Sequence, residues 1–464
     1  MGNPFSMTSL KRKVDILGEL PSAGSVYGEY LKIAWPSALE GMLTMLIAAV
    51  NLIMIGTLGT REVAAVGIIS QPRMIIVAAA KAVAVAVTAI VSRRLGAGQK
   101  EEADRVFKQG FLICLIMTFS LCMILALFLS PILMLAGAKE EYLPLAKEYS
   151  SFVVAEVFFY DLSIIINSGL IGSGNTKSMM ISNIIGNGIK LLLNFLLVYG
   201  GLGFRKLGIR GAGIAEVAGA LSCFIFSVLS VSSGKSPFRL FNRAGWRFDR
   251  TTVSGISRIG LSALLEQVFQ RIGMFLYSRM VAEFGTAEYA THYIVMNLCD
   301  IYYSFSEGLG NASTSITGNK LGEGRPDLAV IYNRAGRRAG LILDTVAFLI
   351  YVLFRYSLMA MYSSEAEVIK VGGDLLIIVG IVCFIQTQTM IYAGALRGAG
   401  DTRYVALYSL YDIALFRPVA TYVLCFPMGL GVYGAWISLI LDQLIRATCA
   451  TLRFRSNKWM YVRV

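Results

Sequence analysis

An eight-residue tag that occurs twice constrains this chain more than any other feature. It reads LIGSGNTK from Leu170 to Lys177 and LRGAGDTR from Leu396 to Arg403, a shift of 226 residues in a chain of 464. The same shift, with no gap, lays MIGTLGTREVAA from Met54 on MVAEFGTAEYAT from Met280 and SRRLGAGQKEEA from Ser92 on GNKLGEGRPDLA from Gly318, and it sets Glu40 on Glu266. An offset held constant over about 140 residues makes the chain two copies of one module, with function expected where the copies meet.

The solvent of this module is lipid. Apolar residues make up 56% of the chain and charged residues 15%, against about 25% charged in an ordinary soluble domain. The runs Phe111–Gly137, Met179–Gly200 and Leu341–Phe354 with its flanks approach the roughly 20 residues a helix needs to cross a bilayer. The strict alternation of barrel strands is absent. The expected fold is an all-α integral membrane protein with twelve transmembrane helices in two pseudo-symmetric six-helix bundles. The spans are expected at Leu31–Gly56, Ala64–Val91, Phe107–Leu135, Tyr149–Ile171, Ser178–Val198 and Gly213–Val231, and again at 257–282, 289–317, 335–358, 366–396, 404–426 and 432–452. This gives a polar lead-in (1–30), a first lobe (31–232), a linker (233–256), a second lobe (257–452) and a tail (453–464). GIRGAGI at Gly208 matches GVYGAWI at Gly431, so the second copy has lost three residues before its last helix. Six spans per copy, an even number, orient both copies alike about an axis along the membrane normal, with a cleft between them.

A net charge of +13 does not point to nucleic acid, because the basic residues gather in alternate connections. Arg93, Arg94, Lys100 and Arg105 follow the second helix, and Lys235, Arg239, Arg243, Arg247 and Arg250 join the copies. Lys320, Arg325, Arg334, Arg337 and Arg338 follow the eighth, and Arg453, Arg455, Lys458 and Arg463 form the tail. This is positive-inside bias with both termini cytoplasmic in a multi-pass cell-membrane protein; one loop, with Arg205, Lys206 and Arg210, argues against it. Charge runs through the first 30 residues, so no cleaved signal is expected. The seven cysteines sit in apolar runs and read as small membrane-helix residues.

Each tag reads as a tight helix–helix connection. Gly172, Gly174, Gly398 and Gly400 permit close or left-handed backbone, and Asn175 or Asp401 can cap the next helix. The spacing is not that of a P-loop.

Ionisable groups inside a bilayer cost several kcal/mol and are functional candidates by default. In helix eight Asn297, Asp300, Ser304, Glu307 and Asn311 form one polar stripe at helical spacing. Helix seven offers Glu266, Gln270, Gly273 and Tyr277; helix one offers Glu40, Thr44, Ile47 and Asn51; helix two offers Gln71, Ala78, Lys81 and Thr88. Helix four has Glu156, Tyr160 and Asn167 on one face with Asp161 beside it, and helix ten has Gln386 and Gln388. Lys190, Glu216, Arg271, Arg279, Asp412 and Arg417 rank lower, because several lie near helix ends. Interhelical hydrogen bonding is the competing account for isolated Asn or Gln. His292 reads as structural.

These features together, with Pro36 in the first helix, SRRLGAG and GNKLGEG after helices two and eight, and the doubled tag after helices four and ten, resemble the multidrug and toxic compound extrusion (MATE) family over residues 31–452. The resemblance implies a secondary antiporter that expels mostly cationic, amphipathic organic compounds, driven by an inward sodium or proton gradient, rocking around a cleft lined by helices one, two, seven and eight. Where the family commonly has acidic residues, this chain has Asn51, Gln270 and Gln386. The expected ion-coupling set is therefore Glu266, Glu40, Gln270, Asn51 and Asp161, with Asn297, Asp300, Glu307, Asn311, Lys81, Tyr277 and Gln386 in the substrate cleft. Lys81 and Glu307 occupy equivalent positions of the two copies and form a candidate gate. No covalent chemistry, cofactor, metal or nucleic-acid partner is expected; the partners are a small organic substrate and membrane lipid, and the protein acts as a monomer. The alternative is a flippase or exporter of an anionic or lipid-linked substrate on the same two-bundle plan.

Overall fold

The computed structural model describes residues 5–462 apart from 13, 57, 59, 139, 234, 235, 241, 243 and 244. Lys235, Arg243 and Arg463, named above among the basic residues, lie outside the described residues. Twelve long helices carry the fold, and no strand occurs among the described residues. They are α1 (Ala23–Gly56), α2 (Thr60–Gly96), α3 (Lys100–Leu127), α4 (Leu143–Gly172), α5 (Thr176–Tyr199) and α6 (Ile209–Ser232) in the first copy. In the second they are α7 (Arg250–Ala282), α8 (Thr286–Gly322), α9 (Pro326–Leu353), α10 (Ala366–Gly398), α11 (Thr402–Cys425) and α12 (Gly431–Arg455). Helices α3 and α9 are each followed by a short helical turn, Leu129–Leu135 and Arg355–Ala360. The protein is an all-α membrane protein of twelve spanning helices.

Eight of the twelve, α1 to α6, α10 and α12, are apolar enough to cross a membrane on composition alone. The other four fall short for visible reasons. Helices α7 and α8 carry the polar stripes, α9 opens with Arg334, Arg337 and Arg338, and α11 is divided by a π-helical stretch, Leu410–Phe416, just before Pro418. Several helices also outrun their apolar segments: α1 begins at Ala23, α4 at Leu143 and α7 at Arg250, while α8 continues to Gly322. Hydropathy reports only the part of a helix that meets hydrocarbon, so these polar turns are invisible to it.

Two compact units emerge. The N-terminal unit holds Leu43–Leu95 and Gln99–Gly260; the C-terminal unit holds the chain up to Met42, Gly96–Gly98 and the chain from Leu261 on. The division falls inside α1 and α7 instead of at the repeat boundary. Within the C-terminal unit the reason is close packing of the first half of α1. Tyr30 is fully buried, its hydroxyl donates to the Leu309 carbonyl at 3.0 Å and lies 2.9 Å from Ser313 Oγ. A Cβ on Gly308 would lie 2.3 Å from the Ala38 backbone, and one on Gly41 2.6 Å from the Ser304 carbonyl. Small residues at these crossings let the backbones approach, the usual basis of helix association in lipid.

The tags behave as turn chemistry requires. Gly174 and Gly400 have φ of +76° and +84°, the left-handed region that favours glycine. Gly172 and Gly398 serve close approach: a Cβ there would lie 3.1 Å from the Thr88 carbonyl and 2.2 Å from the Thr314 carbonyl. Asn175 caps α5, accepting from the Ser178 N–H at 3.3 Å. Asp401 does not cap α11; its carboxylate takes Arg453 Nε at 2.6 Å instead, which ties α12 to the tag.

The basic linker is pinned where it is described. Phe238 is buried against Phe107 with ring centroids 4.4 Å apart. The buried Lys108 ammonium donates to the Asn242 carbonyl at 3.1 Å, and Gln109 donates to the Arg247 carbonyl at 2.8 Å. At its end Asp249 accepts from the Thr252 N–H at 3.0 Å and from the Thr251 hydroxyl, capping α7.

Candidate functional site

The expected coupling residues are distributed over three places. In the C-terminal unit, Glu266 and Gln270 stand one turn apart on α7, and Gln270 Nε2 donates to Glu266 Oε1 at 3.3 Å. The Glu266 carboxylate is buried and held by Arg397, whose Nε reaches Oε2 at 3.4 Å and whose Nη2 binds Oε1. Arg397 belongs to the second tag, and no sequence signal marked it as a counter-ion. Glu40 is half-buried on the part of α1 in the same unit. In the N-terminal unit, Asn51 donates to Glu216 Oε1 at 3.2 Å and accepts from Asn194, while Lys190 pairs with Glu216 at 2.7 Å. An ammonium thus sits inside this network and supplies the cation its carboxylate needs.

Asp161 is the third place. It is fully buried on α4 and accepts from the Thr118 hydroxyl of α3 at 3.0 Å. The 226-residue shift carries Thr118 to Asp344 and Asp161 to Thr387, and Thr387 donates to Asp344 at 2.6 Å. Each copy thus keeps one buried Asp–Thr hydrogen bond between its third and fourth helices, with the two residues exchanged. Asp344 also accepts from Tyr302, and Ser306 lies 3.2 Å from Thr387 Oγ1. Among the described residues, no cation pairs with either aspartate, whereas Glu156 takes Arg73 as a bidentate partner at 2.9 and 2.7 Å.

A further cluster in the C-terminal unit was only half visible in the sequence. Asp412, in the π-helical stretch of α11, and Arg417 meet Asp442 and Arg446 of α12. Arg417 pairs with Asp442; Arg446 lies 3.4 Å from Asp442 and 3.6 Å from Asp412. All four are at most 5% exposed. The equivalent positions in the first copy of Asp412, Asp442 and Arg446 are Gly186, Gly219 and Cys223, where a Cβ on Gly186 would lie 2.7 Å from the Cys223 Cβ. One copy fills this helix crossing with close backbone contact and the other with two acids and two arginines. The π-helical stretch sits at that crossing, in keeping with the usual association of such bulges with functional sites.

The polar stripe of α8 lies partly on the surface of its unit. Asp300 and Glu307 are exposed, Asn297 and Asn311 half-buried, and Ser304 buried. Asn297 accepts from Tyr362 at 3.3 Å, and Asn311 donates to Ser37 at 3.4 Å. Lys81 is exposed on α2 of the N-terminal unit. Tyr277, placed in the cleft by helical spacing, and Gln386, placed there by the resemblance, are packed inside the C-terminal unit at 0% and 1% exposure. Tyr277 lies under Arg417, 5.7 Å from its ring, and against His292 at 5.2 Å. Spacing shows which residues share a helix face but not which neighbour that face meets. Asn167, by contrast, joins helices: it donates to Asn183 at 3.2 Å and accepts from Ser227 at 3.0 Å.

Comparison with known proteins matches this arrangement to one group. The chain is 24% identical over 438 residues to a probable multidrug resistance protein NorM of Thermotoga maritima, covering 93% of this chain and 92% of the relative. It is 26% identical to a probable NorM of Rhizobium meliloti, with 88% of each chain covered. Among solved structures, an outward-facing multidrug resistance MATE family transporter of the MOP superfamily superposes with a TM-score of 0.87, 20% identity and 97% of each chain covered. A MOP superfamily transporter from Pyrococcus furiosus, described as having a binding pocket of reverse polarity that suggests a different function, gives a TM-score of 0.86 at 20% identity, again with 97% of each chain covered. The MatE family model matches residues 36–196 and 262–423, two segments that begin at the repeat shift found in the sequence. The chain belongs to the MatE family of multidrug efflux transporters, which are transporters and not enzymes.

Proposed function

We propose that this chain is a secondary antiporter of the cell membrane, acting as a monomer, that exports small organic compounds of cationic or amphipathic character by alternating access. The proposed driving ion is sodium or a proton, and one observation favours the proton. Asp161 and Asp344 are buried between apolar helices with hydroxyl partners and, among the described residues, no paired cation. A carboxylate removed from water needs its charge compensated, and a transported proton would do so at both sites. Glu266 already has Arg397, so in this reading it trades that guanidinium for the driving ion during the cycle. Reconstitution into liposomes tests the proposal: flux of a permanently charged organic dye is followed under an imposed pH gradient, an imposed sodium gradient, or neither. The pH gradient is expected to drive flux in the wild type, and Asp161→Asn or Asp344→Asn to abolish that drive. Flux indifferent to both gradients would sink the antiport reading. Both termini are proposed to be cytoplasmic; cysteines at Ser233 and Asn457 are expected to resist impermeant labelling of intact cells.

Exposed Lys81 and Arg271 support a second reading, an exporter of anionic or lipid-linked substrates. In that case anionic dyes would be moved in the same liposomes and cationic ones would not.

A further inference from the structure

The end of the C-terminal unit that carries the second tag and the tail also holds a basic cavity of about 730 Å³, closed by the segment ahead of α1. Arg334, Arg337 and Arg338, at helical spacing on α9, line it together with Arg455 at the end of α12 and Arg12 of the leading segment. Two carboxylates, Asp15 and Asp327, also line it. Asp327 is already taken: Arg325 binds it at 2.9 and 3.0 Å, and the Leu17 N–H donates to it at 3.2 Å. Among the described residues no ion pair reaches Arg12, Arg334, Arg337 or Arg455. Among the described lining residues, four guanidiniums thus face Asp15 as the carboxylate not already taken.

The cavity is also built, not merely charged. Arg334 Nη1 donates to the Leu10 and Arg12 carbonyls at 2.9 and 2.7 Å, and Arg338 Nη2 donates to Ser9 Oγ at 2.8 Å. Leu10 is fully buried in the same core as Phe454 and Trp459, whose rings stack 5.1 Å apart. The leading segment is therefore latched over the arginines by hydrogen bonds and an apolar anchor. Leu17 and Tyr461, which also line the cavity, remain 60% and 84% exposed.

We propose that this cavity binds a phosphate-bearing anion, whose oxygens accept from the arginine forks while the leading segment closes over it. Planar guanidiniums pair phosphate bidentately, and clustered like charges that lack carboxylates are relieved by such an anion. The source is either a phospholipid headgroup, with acyl chains toward Leu17 and Tyr461, or a soluble phosphate ester. The proposal does not depend on what the protein transports.

The test uses purified full-length protein in neutral detergent. Native mass spectrometry follows retention of phosphatidylglycerol against phosphatidylcholine, and thermal unfolding follows stabilisation by pyrophosphate at matched ionic strength. The double variant Arg337→Gln/Arg455→Gln removes two charges that do not hold the leading segment, and Arg355→Gln serves as the control. Selective retention of phosphatidylglycerol assigns a lipid headgroup, and saturable stabilisation by pyrophosphate assigns a soluble ester. In either arm the double variant is expected to weaken binding by about tenfold or more, and the control to leave it unchanged. Absence of selective binding in both arms, equal binding by the double variant, or equal loss in the control would overturn the proposal.

Discussion

Removing one arginine from the buried quartet of α11 and α12 should cost far more than removing a matched pair. Asp412, Arg417, Asp442 and Arg446 form a neutral group with at most 5% exposure. Arg417→Met leaves Asp442 sharing Arg446, at 3.4 Å, with Asp412, at 3.6 Å, and the buried cluster then carries one uncompensated negative charge. Breaking such a pair costs about 3–5 kcal/mol. In Arg417→Met/Asp442→Asn the cluster is neutral again, with Asp412 and Arg446 left to pair. The double variant should recover about 2–3 kcal/mol relative to the sum of the single changes, the size expected for directly contacting groups. Unfolding in mixed micelles, followed by tryptophan fluorescence, measures all four corners of the cycle. Additive losses, or a loss below about 1 kcal/mol for Arg417→Met alone, would mean that these charges are solvated and that the burial argument fails.

Glu266→Gln strands the Arg397 guanidinium and is expected to destabilise by about 3 kcal/mol. Glu266→Gln/Arg397→Gln should restore stability yet still lack gradient-driven flux in liposomes; retained flux would make Glu266 structural. Lys81→Glu and Glu307→Lys are each expected to impair transport, and the double swap to restore much of it if the two act as a gate; no rescue in the flux assay removes that idea. Gly398→Ala puts a Cβ 2.2 Å from the Thr314 carbonyl and should cost about 1–3 kcal/mol in micelle unfolding. Gly188→Ala, with nothing within 4 Å, should be neutral or gain about 0.5–1 kcal/mol. Hydrogen bonds from Thr251 and then Thr252 lower the Asp249 carboxyl to about 2 from its usual 3.8. Because the folded value is depressed, its contribution is full above pH 3.8 and is lost as pH falls through about 2. Asp249→Asn should therefore flatten the acid limb of the stability profile between those values, as checked by unfolding at stepped pH.

The sequence by itself determined the helical class, the twelve spans, the repeat and the glycine turns of the tags, although not the partner of Asp401, which binds Arg453 in place of capping α11. These are local properties: apolar length sets a span, and a left-handed turn needs Gly174 or Gly400 wherever the rest of the chain lies. It also showed which residues to suspect, since charges in a lipid-solvated chain are conspicuous. The tertiary structure decided what those charges meet. Glu156 finds Arg73 across 83 residues, Glu266 finds Arg397 across 131, and Arg417 finds Asp442 across 25; none of these separations follows from helical period or repeat shift. The 226-residue shift aligned Thr118 with Asp344 and Asp161 with Thr387, but equivalence is not contact, and only the packing of the third on the fourth helix made each pair a hydrogen bond. The first half of α1 likewise packs with the C-terminal unit because small residues let Tyr30 and Ala38 approach α8. Hydropathy is read one residue at a time, whereas a buried charge is stabilised only by a partner that another helix brings to it.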